Sequence, residues 1–451
     1  MNRKAIILAA GQGKRMKSVH SKVMQPILNE PMLEHVIREL EAVHTQSIEV
    51  IVGHQKEEIL DYFKDRIQSA VQEPQLGTGH ALMCSLELKD EEGLVLITYG
   101  DVPCVRRETF EKVFTLASNC DACIVSAKIE DAGAYGRIVR TPEGQVVGIV
   151  EAKDATSEQL KIQEINTGII CFNQKKLFKH IKELKNQNAQ HEYYLTDMIE
   201  IFVSYGYHVE AMIIDDMSEV MGVNDRLQLA QASQVIQKRI NETWMSEGVT
   251  IIDPSQTWID AKSVLSPDCV IYPGVTLNNA KLADHVTIKG PSFIENSSID
   301  AYTQVDSSHI YDSTIGSQTT IGPHAHIRNH CVIGNHCRIG NYVEMKKTIF
   351  GDYSKSAHLT YLGDAVVGKH VNIGCGVVTV NYDGKHKHVT TIHDGAFIGS
   401  NANLVAPVII GENALVAAGS TITQDVEDRA MGIARAYQVN KPSKGQSYKE
   451  K

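Results

Sequence analysis

Hydrophobic and polar positions follow two different rhythms along this chain. In the N-terminal half, short apolar runs at residues 5–10 (AIILAA), 48–53 (IEVIVG) and 94–99 (LVLITY) predict strands. Between them, PMLEHVIRELEAV, KEEILDYFKD and LGTGHALMCSLEL place apolar residues at helical spacing. Strands alternating with helices predict an α/β domain, doubly wound and Rossmann-like, whose open and mostly parallel sheet binds ligands at the carboxyl ends of its strands. LAAGQGKRM (8–16) and YGDVP (99–103) both fall at such ends. From Asp225 to Glu247 the helical period continues with no Gly or Pro, which predicts a connecting helix. The expected division is a first domain over 1–226, a linker helix over 227–247 and a second domain over 248–451.

The second rhythm has a period of six. Aliphatic residues recur at Ile315, Ile321, Ile327, Ile333 and Ile339, ending in Met345, and again at Ile392, Ile398, Leu404, Ile410, Val416 and Ile422. Neither 3.6 nor 2 explains this spacing. It matches the hexapeptide repeat of a left-handed parallel β-helix, with three hexapeptides in a triangular coil of about eighteen residues. Ile321 should then stack on Ile339, and Ile392 on Ile410, inside the prism. Ile299, Val305 and Ile310 keep the pattern with slips of five residues. TVNYDGKHKHVTT (379–391) interrupts it and is expected to be an external loop, the kind of place where a regular scaffold carries function.

Composition narrows the partners. The chain has 451 residues, 43% of them hydrophobic, and a formal charge of −10 without long basic runs, which speaks against nucleic-acid and membrane-surface binding. AIILAA is too short for a signal segment and no apolar run reaches membrane-spanning length, so a cytoplasmic protein is expected. The nine scattered cysteines read as reduced thiols, with neither a disulfide framework nor structural zinc expected.

LAAGQGKRM has room for a backbone approach to phosphate and carries Lys14, Arg15 and, just beyond, Lys17. It fails both the GxxxxGK[ST] pattern and the GxGxxG pattern, where Met16 replaces the third glycine. Its company is more specific: Lys22, QLGTGHA (75–81), YGDVP, YGRI (135–138), VEAKDA (150–155), EINTG (164–168) and GVNDRLQL (222–229) follow in order. This series resembles the sugar-nucleotide pyrophosphorylases, specifically the N-acetylglucosamine-1-phosphate uridyltransferases. RNHCVIGNHCRIGNYVEMKK, AHLTYLGDA, VNIGCGVVTVNYDG, FIGSNANLVAP and VAAGSTIT extend the resemblance to the bifunctional uridyltransferase/glucosamine-1-phosphate N-acetyltransferases, over nearly the whole chain.

The resemblance implies that Arg15 and Lys22 act on the phosphates of UTP, beside backbone at Leu8, Ala9, Ala10 and Gly11. It places uracil against Gln72, Gly77 and Thr78, and the nucleotide and metal against Tyr99, Gly100 and Asp101. Gly136, Glu151 and Asn166 match positions holding the sugar of N-acetylglucosamine-1-phosphate, and Asn224 pairs with Asp101 to hold Mg²⁺. By spacing alone Asp101 reads equally as a turn cap. In the second half, His358 is the implied base for acetyl transfer, although one histidine among 19 carries no such meaning without its motif. Arg328, Lys346, Tyr361 and Asn372 match residues that bind glucosamine-1-phosphate; Cys375, Asn381, Tyr382, Ser400, Ala418 and Arg435 match acetyl-CoA contacts. Glu344 is a candidate for orienting the base or the amine. The polar tail KPSKGQSYKEK is a candidate contact for coenzyme A. The family implies a homotrimer with acetyl-transfer sites between β-helices.

Departures from the family are Lys14 for a common Thr, His20 and Ser21 for a common Leu-Pro, Asn329 for a common Pro, and Cys375 for a common Ala. Two other readings remain in play. One is a nucleotidyltransferase whose β-helix is only a trimerisation scaffold. The other is a metallo-enzyme ligated through His324, His330 and His336, whose spacing of six points successive side chains about 120° apart around the prism.

Overall fold

A computed structural model describes residues 2–87 and 89–445; the rest of the tail, 446–451, lies outside the described residues. Contacts divide the chain into Met1–Ile236 and Gln237–Lys451.

In the first unit the main sheet runs Val209–Ile214, Ala122–Lys128, Glu164–Asn173, Leu94–Tyr99, Arg3–Leu8, Ser47–Val52, Gln68–Val71. Arg3–Leu8, an interior strand, pairs in parallel with both Ser47–Val52 and Leu94–Tyr99. Their continuous aliphatic runs suit strands buried on both faces. Glu164–Asn173 is the exception and pairs antiparallel with both neighbours. Between Lys128 and Glu164 the chain forms the hairpin Arg137–Arg140/Val146–Val150 and a 3-10 turn, with no α-helix to carry a parallel crossover. The expected helices appear as Met32–Ala42 and Lys56–Phe63, while the third is confined to Thr78–Met83. It stops early because the next residues are held from outside the helix. Leu86 N donates to Glu49 Oε1 at 2.9 Å, and buried Glu87 pairs with Lys4 at 2.9 Å.

The helix Arg226–Ser246 spans the division. Its second half packs Ile240 and Trp244 on the β-helix core, and Asn241 Nδ2 donates to the carbonyls of Pro254 and Thr257, each at 2.9 Å.

The second unit is a parallel β-helix. Ile321 pairs with Ile339 and Ile392 with Ile410, as the six-residue period requires. Coils tighten where the sequence slips, with Ile294 against Ile310 and Ile299 against Ile315. These aliphatic side chains form one continuous buried column. Buried hydroxyls satisfy the corners: Ser292 Oγ accepts from Ser308 N at 3.1 Å, Ser308 Oγ from Ala325 N at 3.0 Å, and Thr319 Oγ1 from Cys337 N at 3.0 Å. Val367 pairs with Ile392 and Ile373 with Ile398 across the interruption, so residues 381–389 leave the ladder intact.

Candidate functional site

Two adjoining cavities open at the carboxyl ends of the first unit's strands. The first, about 320 Å³, is lined by Leu8, Ala9, Ala10, Gly11, Lys22, Gln72, Gly77, Thr78, Tyr99 and Asp101, with Val23, Gln75, Ala81 and Glu192. The second, about 470 Å³, is lined by Arg15, Tyr99, Asp101, Gly136, Glu151, Asn166 and Asn224, and also by Tyr135 and Gly168. Tyr99 and Asp101, at the end of Leu94–Tyr99, belong to both. Of the candidates named for this half, Gly100 alone lines neither, because it packs against Val23, Leu33 and Ala9.

Local backbone explains the placement. Gly13 has φ +59° and lies so close to Lys22 that a Cβ would sit 2.7 Å from Lys22 Cβ, which closes the loop between them. Lys22 Nζ then bonds Asp101 Oδ2 and, at 2.8 Å, Asn224 Oδ1. Gln72 Nε2 donates to Gly77 O at 2.9 Å, and Gln75, which sequence reading had not singled out, donates to Ala10 O. Beside the second cavity, the strand Glu164–Asn173 loses register between Asn166 and Ile170. Gly168 turns there at φ +88°, and its N–H donates to Asn166 Oδ1 at 3.0 Å, aiming the asparagine into the cavity wall. Burial pushes the Glu151 carboxyl up, partly offset by the Thr196 hydroxyl donating at 3.0 Å. Burial, with Glu151 and Asp101 nearby, raises the Tyr99 phenol well above its ordinary range and keeps it neutral.

Asp101 and Asn224 offer oxygens that already converge on one cation, the Lys22 ammonium. That donor set fits Mg²⁺, which takes few protein oxygens and fills its remaining positions with water and phosphate.

On the β-helix, Arg328, Lys346 and Gly363 are register partners in successive coils, and Glu344 aligns with Tyr361. Glu344 Oε1 accepts from Arg328 Nε at 3.1 Å and Nη2 at 2.5 Å, so it orients the guanidinium rather than a base. Lys346 lies beside Lys387, whose ammonium pulls its pKa below the ordinary value. Two lysines and Arg328 together suit a phosphate dianion. Lys387 was not singled out by sequence reading, although it lies in the interrupting loop.

His358 is exposed, and its Nδ1 faces Asn341 Oδ1 at 3.3 Å. An Nδ1–H donated to that oxygen leaves Nε2 as the ring atom of the neutral imidazole that can accept a proton. Asn381 is buried, with Nδ2 donating to Asp364 Oδ2 at 2.6 Å, whereas Tyr382 is exposed and bridges to Lys387. Asn372 aligns with Phe397 on a different face of the prism from Arg328 and Lys346. Ser400 and Ala418 follow the strands stacked on that same face. Gly374 approaches Ser400 N, and Gly399 approaches Ala418 N, too closely for a side chain, each at 2.6 Å or less from a built Cβ. Cys375, Ser400, Ala418 and Arg435 are all exposed. The candidates thus divide between two faces of the prism, with Arg328, Lys346, Tyr361, Asn381 and Tyr382 along one stack and Asn372, Ser400 and Ala418 along the other.

The row His324, His330 and His336 does not converge. His324 stacks on Tyr342 with centroids 5.4 Å apart, and His336 stacks on Tyr353 at 4.5 Å. All three have positive φ at corners of the coil. Among the described residues no group of three or more His, Cys, Asp or Glu is arranged to hold a metal. Sequence reading also passed over the C-x-x-C spacing of Cys120 and Cys123; the Cys120 thiol donates to the carbonyls of Leu116 and Ala122 at 3.5 and 3.3 Å.

Fold and cavities define a nucleotidyltransferase unit joined to a hexapeptide-repeat transferase unit. Family comparison agrees: residues 5–196 match the MobA-like NTP transferase domain, and residues 312–347 and 390–424 match the bacterial transferase hexapeptide (six repeats). The chain is 48% identical over 441 residues to the bifunctional protein GlmU of Bacillus subtilis (strain 168), covering 97% of each chain. It is 46% identical to those of Shouchella clausii, covering 97% of each, and Halalkalibacterium halodurans, covering 98% of each. The chain belongs to the GlmU family of bifunctional proteins.

Proposed function

We propose that the chain acetylates glucosamine-1-phosphate with acetyl-CoA and then transfers UMP from UTP to N-acetylglucosamine-1-phosphate, releasing pyrophosphate and forming UDP-N-acetylglucosamine, a precursor of peptidoglycan and the cell wall. The observation that carries the second step is the meeting of two cavities at Tyr99 and Asp101. A nucleotide in one and a sugar phosphate in the other bring the attacking oxygen to the α-phosphorus. Arg15 and Lys22 spread the charge that develops on the oxygens, without a covalent nucleophile. Bound at Asp101 and Asn224, Mg²⁺ supplies further charge neutralisation for the triphosphate.

For the first step, Arg328, Lys346 and Lys387 hold the sugar phosphate, Nε2 of His358 takes a proton from the amine as the amine nitrogen attacks the acetyl carbonyl carbon, and the thioester C–S bond then breaks, with CoA leaving as the thiolate and taking up that proton as the free thiol. Because the acetyl-transfer candidates divide between two faces of the prism, a complete site joins copies of the chain in a homotrimer. An outward apolar stripe of Val332, Ile349, Val366 and Ile409, 40–51% exposed, supports self-association. Among the described residues no helix is long and apolar enough to cross a membrane, which fits a cytoplasmic enzyme.

The test is release of CoA thiol from acetyl-CoA and glucosamine-1-phosphate without UTP. Wild type should release it, and His358→Ala should lose about 10²- to 10⁴-fold. Wild type that produces pyrophosphate from UTP and N-acetylglucosamine-1-phosphate but no thiol would make the β-helix a scaffold.

A further inference from the structure

Between Gly13 and Lys22 the phosphate loop carries Lys14, Arg15 and Lys17, all exposed, and its outer end is held from one side. Glu58, in the helix Lys56–Phe63, reaches the loop with both carboxylate oxygens. Oε1 faces His20 Nδ1 at 2.9 Å, and Oε2 accepts from Ser21 N at 2.9 Å. Gln55, just before that helix, donates to Val19 O. These hydrogen bonds pull the Glu58 carboxyl below its ordinary pKa although partial burial opposes them. Ser21 is the residue immediately before the turn Lys22–Met24, so whatever fixes Ser21 fixes the start of the segment that presents Lys22.

The grip falls on His20 and Ser21, the two positions where the resemblance implies Leu-Pro. A proline at 21 has no N–H and could not donate to Glu58, but its ring would hold φ near −65°. Ser21 sits at φ −53°, within the range a proline imposes. Leucine at 20 would likewise offer nothing to Oε1. The chain reaches a proline-like conformation at this point through hydrogen bonds from a neighbouring helix.

We propose that Glu58 is a positioning residue for uridylyl transfer: clamped on His20 and Ser21, it holds the loop in the conformation that directs Lys22 to the triphosphate. This rests on the uridylyl-transfer reading of the first unit. Glu58 itself lines neither of the two catalytic cavities. Removing the clamp frees the loop, so binding must first reorder it, and the loss falls on UTP rather than on the sugar phosphate.

The test uses the full chain and compares Glu58→Ala, Glu58→Gln and the double variant Glu58→Ala/Ser21→Pro. Pyrophosphate release against UTP concentration should show kcat/KM about three- to tenfold lower in Glu58→Ala, on the scale of two lost hydrogen bonds with an exposed carboxylate. KM for N-acetylglucosamine-1-phosphate should stay within about twofold. Glu58→Gln keeps an acceptor and should retain at least half the wild-type value, and Ser21→Pro should restore most of the loss in the double variant by fixing φ. Trypsin cleavage after Lys14, Arg15 and Lys17 should be faster in Glu58→Ala and slow again in the double variant. CoA release by the β-helix should be unchanged throughout. Equal kinetics and cleavage in Glu58→Ala and wild type would overturn the proposal, as would failure of proline to rescue either readout, or a parallel fall in CoA release. If wild type releases no pyrophosphate, the uridylyl reading fails, while the trypsin comparison still decides whether Glu58 orders the loop.

Discussion

Replacing Gly168 by alanine strikes the point where the bulged strand meets the site. Gly168 holds φ +88°, and a Cβ there would lie 2.8 Å from Tyr99 Cδ2 and 3.2 Å from Cζ, nearer still to Cε2. The conformation alone costs alanine about 1–2 kcal/mol, and crowding in a packed region typically adds about 1–3 kcal/mol. Tyr99 packs against buried clusters on both faces of the sheet and borders both cavities, so it cannot swing aside without disturbing the site. The combined penalty of about 2–5 kcal/mol is a large part of the roughly 5–15 kcal/mol that stabilises a domain. Thermal unfolding of the first unit should fall by about 4–20 °C, at roughly 2–4 °C per kcal/mol for a domain this size. Gly144→Ala separates the two causes, because Gly144 has φ +90° with nothing within 4 Å of a built Cβ, and should show only the conformational cost. Pyrophosphate release should drop in Gly168→Ala while CoA release persists. A Gly168→Ala protein that melts with Gly144→Ala and keeps full uridylyl transfer would refute the crowding argument and the place given to Tyr99.

Lys387→Ala should raise KM for glucosamine-1-phosphate about tenfold with little change in KM for acetyl-CoA, since one of three cations around the phosphate is lost; unchanged KM would remove Lys387 from the site. Asp197 has its carboxyl pushed up to about 6, first by burial and then by Glu200, Glu151 and Asp154. Because its folded pKa exceeds the ordinary 3.8, the folded state holds the proton longer, and this group's contribution to stability declines as pH rises from about 4 to 6. Asp197→Asn should therefore melt higher than wild type at pH 7.5 and equally at pH 4, and a gap of the same size at both would dismiss the assignment. Chelation of divalent cations should stop pyrophosphate release and leave CoA release intact; joint loss would point to a metal requirement shared by both halves.

The β-helix was legible because its physics is local and repeated: every sixth side chain must face the prism interior, and Ile315 to Met345 records that demand directly. The connecting helix was legible for a similar reason, in an uninterrupted period without Gly or Pro. The candidate site was legible as a series of motifs, since LAAGQGKRM, YGDVP and EINTG each mark a strand end or bulge that lines one of the two cavities. Their resemblance to a family, rather than their spacing, gave them roles.

What sequence could not show is which residues meet. Lys22 reaches Asn224 across some two hundred positions, and Glu344 turns toward Arg328 instead of His358. Lys387 reaches Lys346 from a loop with no period of its own. His324, His330 and His336 look equivalent in sequence yet leave successive corners of the coil. The reversal of Glu164–Asn173 depended on the absence of a crossover helix between residues 128 and 164, and the clamp of Glu58 on His20 and Ser21 depended on a neighbouring helix arriving at the right depth. Periodicity and motifs are written by contacts near in sequence, whereas charge pairing and strand direction are decided by which distant segments the folded core brings side by side.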